Sequence, residues 1–219
     1  MNPCLDWTAF PTGLIADCQG RLGAMAGYMH RLAGDRTAGP ALTVQVVAGE
    51  NGTIHRALLS TRPGDVLVID AGGYRDRAVW GEVLARAALK RGVAGVVIDG
   101  AVRDVDRLRQ LGLPTWACGA TPAGPHKGWT GRIGAPIACA GVNVSRGDTI
   151  VGDADGIVVI PAATVDVVYR GAVERRDQEA QWLRRIEAGE STVTILGINE
   201  EAEHAHGTAP RGRSMGASG

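Results

Sequence analysis

The stretch from Gly81 to Asp104, GEVLARAALKRGVAGVVIDGAVRD, restricts what this chain can fold into more than any other. Between Glu82 and Lys90 the apolar residues Val83, Leu84, Ala87 and Ala88 share one helical face, and Gly92 ends the helix. VAGVVIDG, residues 93–100, follows as a short unbroken apolar run, the pattern of a fully buried strand. A second run of the same kind, VLVIDAGG at 66–73, precedes the helix and is closed by glycines. Buried strands alternating with helices predict an α/β domain.

The flanking segments extend that pattern. Residues 11–33 read as one or two short helices, with Asp17 near a helix start. GPALTVQVVAG at 39–49 alternates, is β-branched and predicts a strand. Thr53 is placed to cap a short helix carrying Ile54, Ala57 and Leu58 on one face, ended by Arg-Pro-Gly. VDRLRQLG at 105–112 predicts another short helix, after which LPTWACGA leads into the Pro/Gly loop TPAGPHKGW. Around 132–160 three strand-like pieces follow, IGAPIACAG, VNVSRGDTIVG and DGIVVIP, so a mixed sheet is expected rather than a plain doubly wound one. From Pro161 to about Ala188 a long helix is expected, with Val165, Val168, Ala172, Ala180, Leu183 and Ile186 at helical spacing. No linker divides residues 1–201, which read as one domain. The tail 202–219 lacks apolar periodicity and reads as disordered.

Composition excludes several classes of function. The 23 basic and 23 acidic residues cancel, and aromatics are sparse at 4%, so neither a nucleic acid nor an anionic membrane surface is an expected partner. No stretch approaches the ~20 apolar residues of a membrane-spanning helix, and the first residues have no basic and apolar leader pattern. Cys4, Cys18, Cys118 and Cys139 are far apart, which fits free thiols and a cytoplasmic protein. No Walker, GxGxxG, HExxH or GxSxG pattern occurs.

Chemistry concentrates where the helix and the second buried strand end. Arg103 and Asp104 follow the Gly100 turn, in the kind of loop that carries ligand contacts. An arginine grips a carboxylate with two parallel bonds, an aspartate holds a hard cation, and amides at a helix start attract an anion. In isolation the dipeptide also suits a structural ion pair with Asp99 or Asp106. Glu82, in the first helical turn, suits either dipole complementation or the holding of a metal-bound water. The amides of Val83 and Leu84 are free to form an oxyanion hole. His55 reads as a packing or surface residue, and His126 and Lys127 as loop residues as readily solvated as ligand-bound. The two lysines, Lys90 and Lys127, do not look buried, which disfavours Schiff-base chemistry and leaves a metal ion as the better electron sink.

GDVLVIDAGG, GEVLARAALKRGVAGVVIDGAVRD, GATPAGPHKG, GAPIACAGVNVSRGDTIVGDADGIVVIP and GESTVTILG together resemble the RraA-like superfamily, from about Thr12 to Ile198. That group includes 4-hydroxy-4-methyl-2-oxoglutarate and 4-carboxy-4-hydroxy-2-oxoadipate aldolases and the RraA ribonuclease regulators. Members are often labelled demethylmenaquinone methyltransferases, but nothing here supports a methyl-donor site. The resemblance implies a three-layer β/β/α swivelling-type domain, assembled as a trimer or hexamer with active sites between subunits. It implies a class II pyruvate aldolase using Mg²⁺ or Mn²⁺ on a small 2-oxo acid, with oxaloacetate decarboxylation as a companion activity. Carried over by position, Asp104 would bind the metal and Arg103 the pyruvate end of the substrate. Glu82 would hold metal-bound water, the Val83 and Leu84 amides would stabilise the enolate, and Asn51 would touch substrate. A carboxylate from the neighbouring subunit's C-terminal helix completes the site; Glu174 and Glu179 are the candidates, with Glu179 favoured. Two rival readings are a non-catalytic regulator that binds a ribonuclease and a dedicated oxaloacetate decarboxylase.

Overall fold

The computed structural model describes residues 5–198, so Cys4, the first residues and the 202–219 tail lie outside it. The chain divides into two compact units, Met1–Arg175 and Arg176–Gly219.

The first unit is built on parallel strands in sequential order. β1 (His30–Ala33), β2 (Thr37–Gln45), β3 (Val66–Trp80), β4 (Gly95–Val102) and β5 (Thr115–Ala120) are joined by α2 (Gly52–Leu58), α3 (Glu82–Lys90) and α4 (Val105–Leu111), after an initial α1 (Thr12–Cys18). β2, β3, β4 and β5 lie side by side and parallel, and β1 closes that edge antiparallel to β5. Short antiparallel strands follow: β6 (Arg132–Ile133) on β2, a β7 (Ile137–Cys139) and β8 (Val142–Val144) hairpin, then β9 (Thr149–Gly152) and β10 (Ile157–Ile160).

β2 bends the sheet. Its residues Thr37–Pro40 pair with β9, and from Ala41 to Gln45 it pairs with β3. The change of partner falls at Pro40, which has no N–H to give a continuous ladder. Gly39 beside it passes the Gly64 carbonyl so closely that a Cβ would sit 2.1 Å from that oxygen.

Alternation along the parallel strands builds the layers. Leu42, Val44, Leu67, Ile69, Val96 and Ile98 face the helices and pack with Ile54, Leu84 and Leu108. Ala41, Val66, Val68 and Val97 face the other way, against Ile137, Val144, Ile150 and Ile157 of the later strands. Both faces are therefore covered, which is why these strands read as unbroken apolar runs. The result is a three-layer β/β/α domain of the swivelling type. A third cluster, with Trp7, Phe10, Leu14 and Ile15, joins Val158 and Ile160 to Val168 and Ala172 of the long helix α5 (Val165–Glu187).

Several local expectations are corrected. Residues 30–33 form β1 rather than helix, and Asp17 lies near the end of α1, whose first amide and hydroxyl, from Thr12, donate instead to Asp153 at 2.9 and 2.7 Å. β3 does not stop at the glycines. Gly72 and Gly73 adopt φ of 67° and 68°, the ladder skips, and pairing resumes at Tyr74, Ala78 and Trp80. Thr53 does not cap α2. The buried Glu50 carboxylate accepts from the Gly52 and Thr53 amides in its place. On α3 the buried face is Leu84, Ala85 and Ala88, and Val83 is turned out, 72% exposed. LPTWACGA carries a full strand, β5, and the 132–160 region holds five strands rather than three.

The second unit contains the end of α5 and α6 (Thr192–Leu196), whose Ser191 cap accepts from the Thr194 amide at 3.1 Å. Arg185 and Glu190 pair at 2.7 Å within it. The expected apolar stripe does not continue as core here: Leu183 and Ile186 are exposed.

Candidate active site

The parallel strands deliver their C-terminal ends to one rim. Asn51 follows β2, Gly81 follows β3, Arg103 and Asp104 follow β4, and the 121–130 loop follows β5. Around that rim lies a cavity of about 260 Å³ whose wall includes Asn51, His55, Val83, Leu84, Arg103, Asp104 and Lys127. Arg103 and Asp104 also line an adjoining cavity of about 360 Å³ with Val105, Ala120, Thr121 and Pro122.

Asp104 is fixed by its backbone as much as by its neighbours. Its φ of 59° and ψ of 38° are left-handed, a conformation an aspartate tolerates better than most residues. The twist turns the carboxylate back over the start of α3, where Oδ2 accepts from the Glu82 amide at 3.1 Å and lies 3.6 Å from Arg103 Nε. The alternative reading of the dipeptide, an ion pair with Asp99 or Asp106, is not formed among the described residues: Arg103 pairs with Asp104, and Asp106 with Arg109. Gly81 allows the close approach. A Cβ there would lie 2.6 Å from Asp104 Oδ2 and 3.0 Å from Arg103 Cγ, although its backbone is ordinary extended chain. The first intrahelical bond runs from Ala85 to Gly81, leaving the Val83 and Leu84 amides ahead of it with their N–H groups at the helix start.

Asn51 is held from two sides. Its side-chain amide donates to the Val79 carbonyl at 3.3 Å, and its backbone N–H donates to the His126 carbonyl at 3.2 Å. That second bond, with His126 N–H to Gly49 at 2.8 Å, clasps the 121–130 loop to the turn before α2. Arg77 adds a bond to the Gly124 carbonyl at 3.1 Å. Asn51 is 6% exposed, yet its Oδ1 has no partner, and neither does the indole N–H of the buried Trp80 on the same wall. A buried acceptor left unpaired costs about 1–3 kcal/mol, so such atoms mark where a ligand would bond.

Glu82 contributes its amide to this arrangement, but its carboxylate is claimed by Arg86 at 2.7 Å, one turn along the helix. Glu174 and Glu179 both lie on α5, Glu179 in the second unit. His55 and Lys127, which the sequence left among packing, surface and loop residues, both stand on the cavity wall. Partial burial and then the Lys127 charge push the His55 pKa below its ordinary value, with Glu50 opposing, so the imidazole is neutral at pH 7. The role of Glu50, which braces the turn carrying Asn51, was not read from sequence; an acid two residues before a helix start was the available signal.

Among the described residues no group of three or more His, Cys, Asp or Glu side chains gathers as a metal cage. That donor set does not suit zinc. It does suit Mg²⁺ or Mn²⁺, which bind through one or two carboxylates and take water and substrate oxygens for the rest. The half-exposed Asp104 offers such a carboxylate.

The RraA-like family model, described as Aldolase/RraA, matches residues 12–159. A protein of Halalkalibacterium halodurans, provisionally named 4-hydroxy-4-methyl-2-oxoglutarate aldolase, is 40% identical over 173 residues, 78% of this chain and 82% of its own. The Thermus thermophilus protein named 4-hydroxy-4-methyl-2-oxoglutarate aldolase is 36% identical over 126 residues, 58% of this chain and 76% of its own. Among solved structures, the RNA-processing inhibitor RraA of Thermus thermophilus superposes with a TM-score of 0.65 at 33% identity, covering 69% of this chain and 92% of that one. Fold, matched segment and relatives agree, and the chain belongs to the RraA-like family.

Proposed function

We propose that the protein is a divalent-metal-dependent aldolase that cleaves a 4-hydroxy-2-oxo acid, of the 4-hydroxy-4-methyl-2-oxoglutarate or 4-carboxy-4-hydroxy-2-oxoadipate type, to pyruvate and a second oxo acid. One observation carries this reading: Arg103, the Asp104 carboxylate, the free amides of α3 and the unpartnered Asn51 Oδ1 meet in one cavity. Asp104 would hold Mg²⁺ or Mn²⁺, which when bound supplies positive charge beside the 2-oxo group. Arg103 grips the 2-oxo acid's carboxylate in bidentate fashion. Asn51 Oδ1 accepts a hydrogen bond from the substrate hydroxyl. A water, which Glu82 would orient once its carboxylate turns from Arg86 towards the cavity, takes the proton from the C4 hydroxyl, and the C3–C4 bond breaks. Its electron pair moves into the pyruvate half as an enolate, whose oxygen meets the Val83 and Leu84 amides; protonation at C3 then gives pyruvate. The same site would accept the electron pair released with CO₂ from oxaloacetate. The family resemblance adds a trimer or hexamer in the cytoplasm, with Glu179 of a neighbouring copy completing the site.

The test is coupled pyruvate release from 4-hydroxy-4-methyl-2-oxoglutarate and from oxaloacetate, with Mg²⁺ and with EDTA. The expected result is metal-dependent pyruvate from both, lost in Arg103→Ala and Asp104→Ala while the circular dichroism spectrum stays native. Full turnover in either variant refutes the assignment, and pyruvate from oxaloacetate alone would make the protein a dedicated decarboxylase. The likeness to the RNA-processing inhibitor supports a second reading, a non-catalytic partner of a ribonuclease. Capture of a purified ribonuclease with no pyruvate from either acid would favour it.

A further inference from the structure

Trp80 closes β3, is 1% exposed and stands on the cavity wall, and its indole N–H has no partner. Buried tryptophans normally find an acceptor, as Trp116 does on the Asp153 carbonyl at 3.1 Å. Trp7 also lacks one, but it belongs to the third core cluster and not to this wall. Trp80 is tied on both sides to residues of the site. The Val79 carbonyl, in the peptide that leads into Trp80, accepts from the Asn51 side chain at 3.3 Å. The carbonyl of Trp80 itself accepts from the Arg103 amide at 2.9 Å. Asn51 Oδ1 and the Trp80 N–H are therefore an acceptor and a donor, both buried and unpaired, on adjoining parts of one wall. A hydroxyl answers both, since it donates one hydrogen bond and accepts another.

We propose that the Trp80 indole N–H donates to the oxygen on C4 of the substrate, and that this bond makes the site favour aldol cleavage over decarboxylation. The inference rests on the aldolase reading for the place of C4, whose hydroxyl is the one held by Asn51. In the cleavage the hydroxyl proton passes to water and the C4 oxygen gains negative charge. That charge falls again as the C3–C4 electron pair leaves for the enolate and C4 becomes a ketone. A fixed N–H at this oxygen is worth most where the charge is greatest. In oxaloacetate, C4 is the carboxylate that departs as CO₂, so its charge is complete at the start and lost on the way. The same donor then stabilises the starting acid more than the transition state and does not speed that reaction. Arg103 and Asp104 serve the enolate common to both reactions, and Trp80 serves one of them.

Trp80→Phe removes the N–H and keeps an aromatic ring in the core. With Mg²⁺, kcat for 4-hydroxy-4-methyl-2-oxoglutarate should fall on the order of a hundredfold, the loss typical of one such donor. Oxaloacetate decarboxylation should hold within about twofold or rise. An equal fall in both activities would mean that Trp80 only packs beneath the shared enolate site, and it overturns the inference, as does a fall in neither. A second measurement reads the contact in the wild-type protein without turnover. 2,4-Dioxopentanoate and 2-oxopentanoate differ only in an oxygen at C4, and neither carries the 4-hydroxyl that cleavage requires. In ¹⁵N-labelled protein with Mg²⁺, the assigned Trp80 indole proton should move downfield with the first acid and keep its position with the second. The same shift with both acids, or none with either, overturns the inference. The two readings fail separately: turnover of the hydroxy acid without a C4-dependent shift refutes this contact alone. A C4-dependent shift in a protein that cleaves no hydroxy acid keeps the contact and refutes the aldolase.

Discussion

Gly81→Ala is the most discriminating single perturbation of the site, because it adds one methyl group and no backbone strain. The residue sits at φ −173° and ψ −167°, which alanine adopts freely. The new Cβ would stand 2.6 Å from Asp104 Oδ2, about 0.8 Å inside ordinary contact, and 3.0 Å from Arg103 Cγ. Something must move, and the Asp104 carboxylate is on a short side chain whose backbone is pinned by the left-handed turn. The Glu82 amide bond at 3.1 Å is then lost or stretched, at a cost of about 0.5–1.5 kcal/mol. For a chain of this size that lowers the melting midpoint by only a few degrees, roughly 2–4 °C per kcal/mol. Activity should suffer far more, since a misplacement of about 1 Å costs on the order of 10²-fold in rate. The assay is metal-dependent pyruvate release alongside thermal melting. Gly13→Ala is the control, because a Cβ there meets nothing within 4 Å in α1. A Gly81→Ala protein that melts like wild type and retains full turnover would refute the argument that Arg103 and Asp104 must lie over this glycine.

Three further outcomes follow from other parts of the structure. Asp104→Gly relieves a left-handed backbone but removes the Glu82 contact, two effects of about 1 kcal/mol and opposite sign, so thermal melting should barely change while pyruvate release is abolished. For Asp153, burial raises the pKa, but the Thr12 amide and hydroxyl, the Asp155 amide and Arg36 together outweigh it and leave the net value depressed. A depressed carboxylate stabilises the fold above the unfolded-state pKa of about 3.9 and loses that contribution as pH falls through the folded value. Asp153→Asn should therefore be less stable than wild type at pH 7, with the gap closing in melts taken below about pH 4. Burial, with Asp99 nearby, pushes the Cys118 thiol up to about 12 and the Cys139 thiol higher still, so a thiol reagent at pH 8 should label both only after unfolding.

The buried strands were legible because doubly covered strands leave a signature in composition: VLVI and VAGVVI are apolar throughout, and β3 and β4 have helices on one side and strands on the other. The ends were less so. β3 continues past its glycines because two positive-φ residues let the chain bulge and rejoin the ladder, which glycine content alone does not distinguish from a turn. β1 lay hidden in HRLA, whose half-exposed edge position leaves too short an alternation to read. The pairing of Arg103 and Asp104 at the cavity was readable from the chain, since both follow one strand end. Lys127 and His55 were not, because their meeting depends on a loop some seventy residues away being fastened to the Asn51 turn by backbone bonds, and backbone bonds have no sequence pattern.

The position of the site follows from the order of the strands. β2, β3, β4 and β5 run parallel and adjacent in the order in which the chain makes them, so each strand ends at the same rim before the chain turns away. That rim gathers the cavity wall from successive strand ends: Asn51 after β2, the α3 amides after β3, Arg103 and Asp104 after β4, Lys127 after β5. Ligands of open parallel sheets bind at this edge for the same reason. The antiparallel strands β9 and β10 contribute none of the cavity wall, and their work is to cover the second face of the sheet. A substitution in that layer, such as Gly152→Ala, whose Cβ would stand 2.8 Å from the Trp116 ring, should thus be felt first in stability. One at the rim should be felt first in the chemistry.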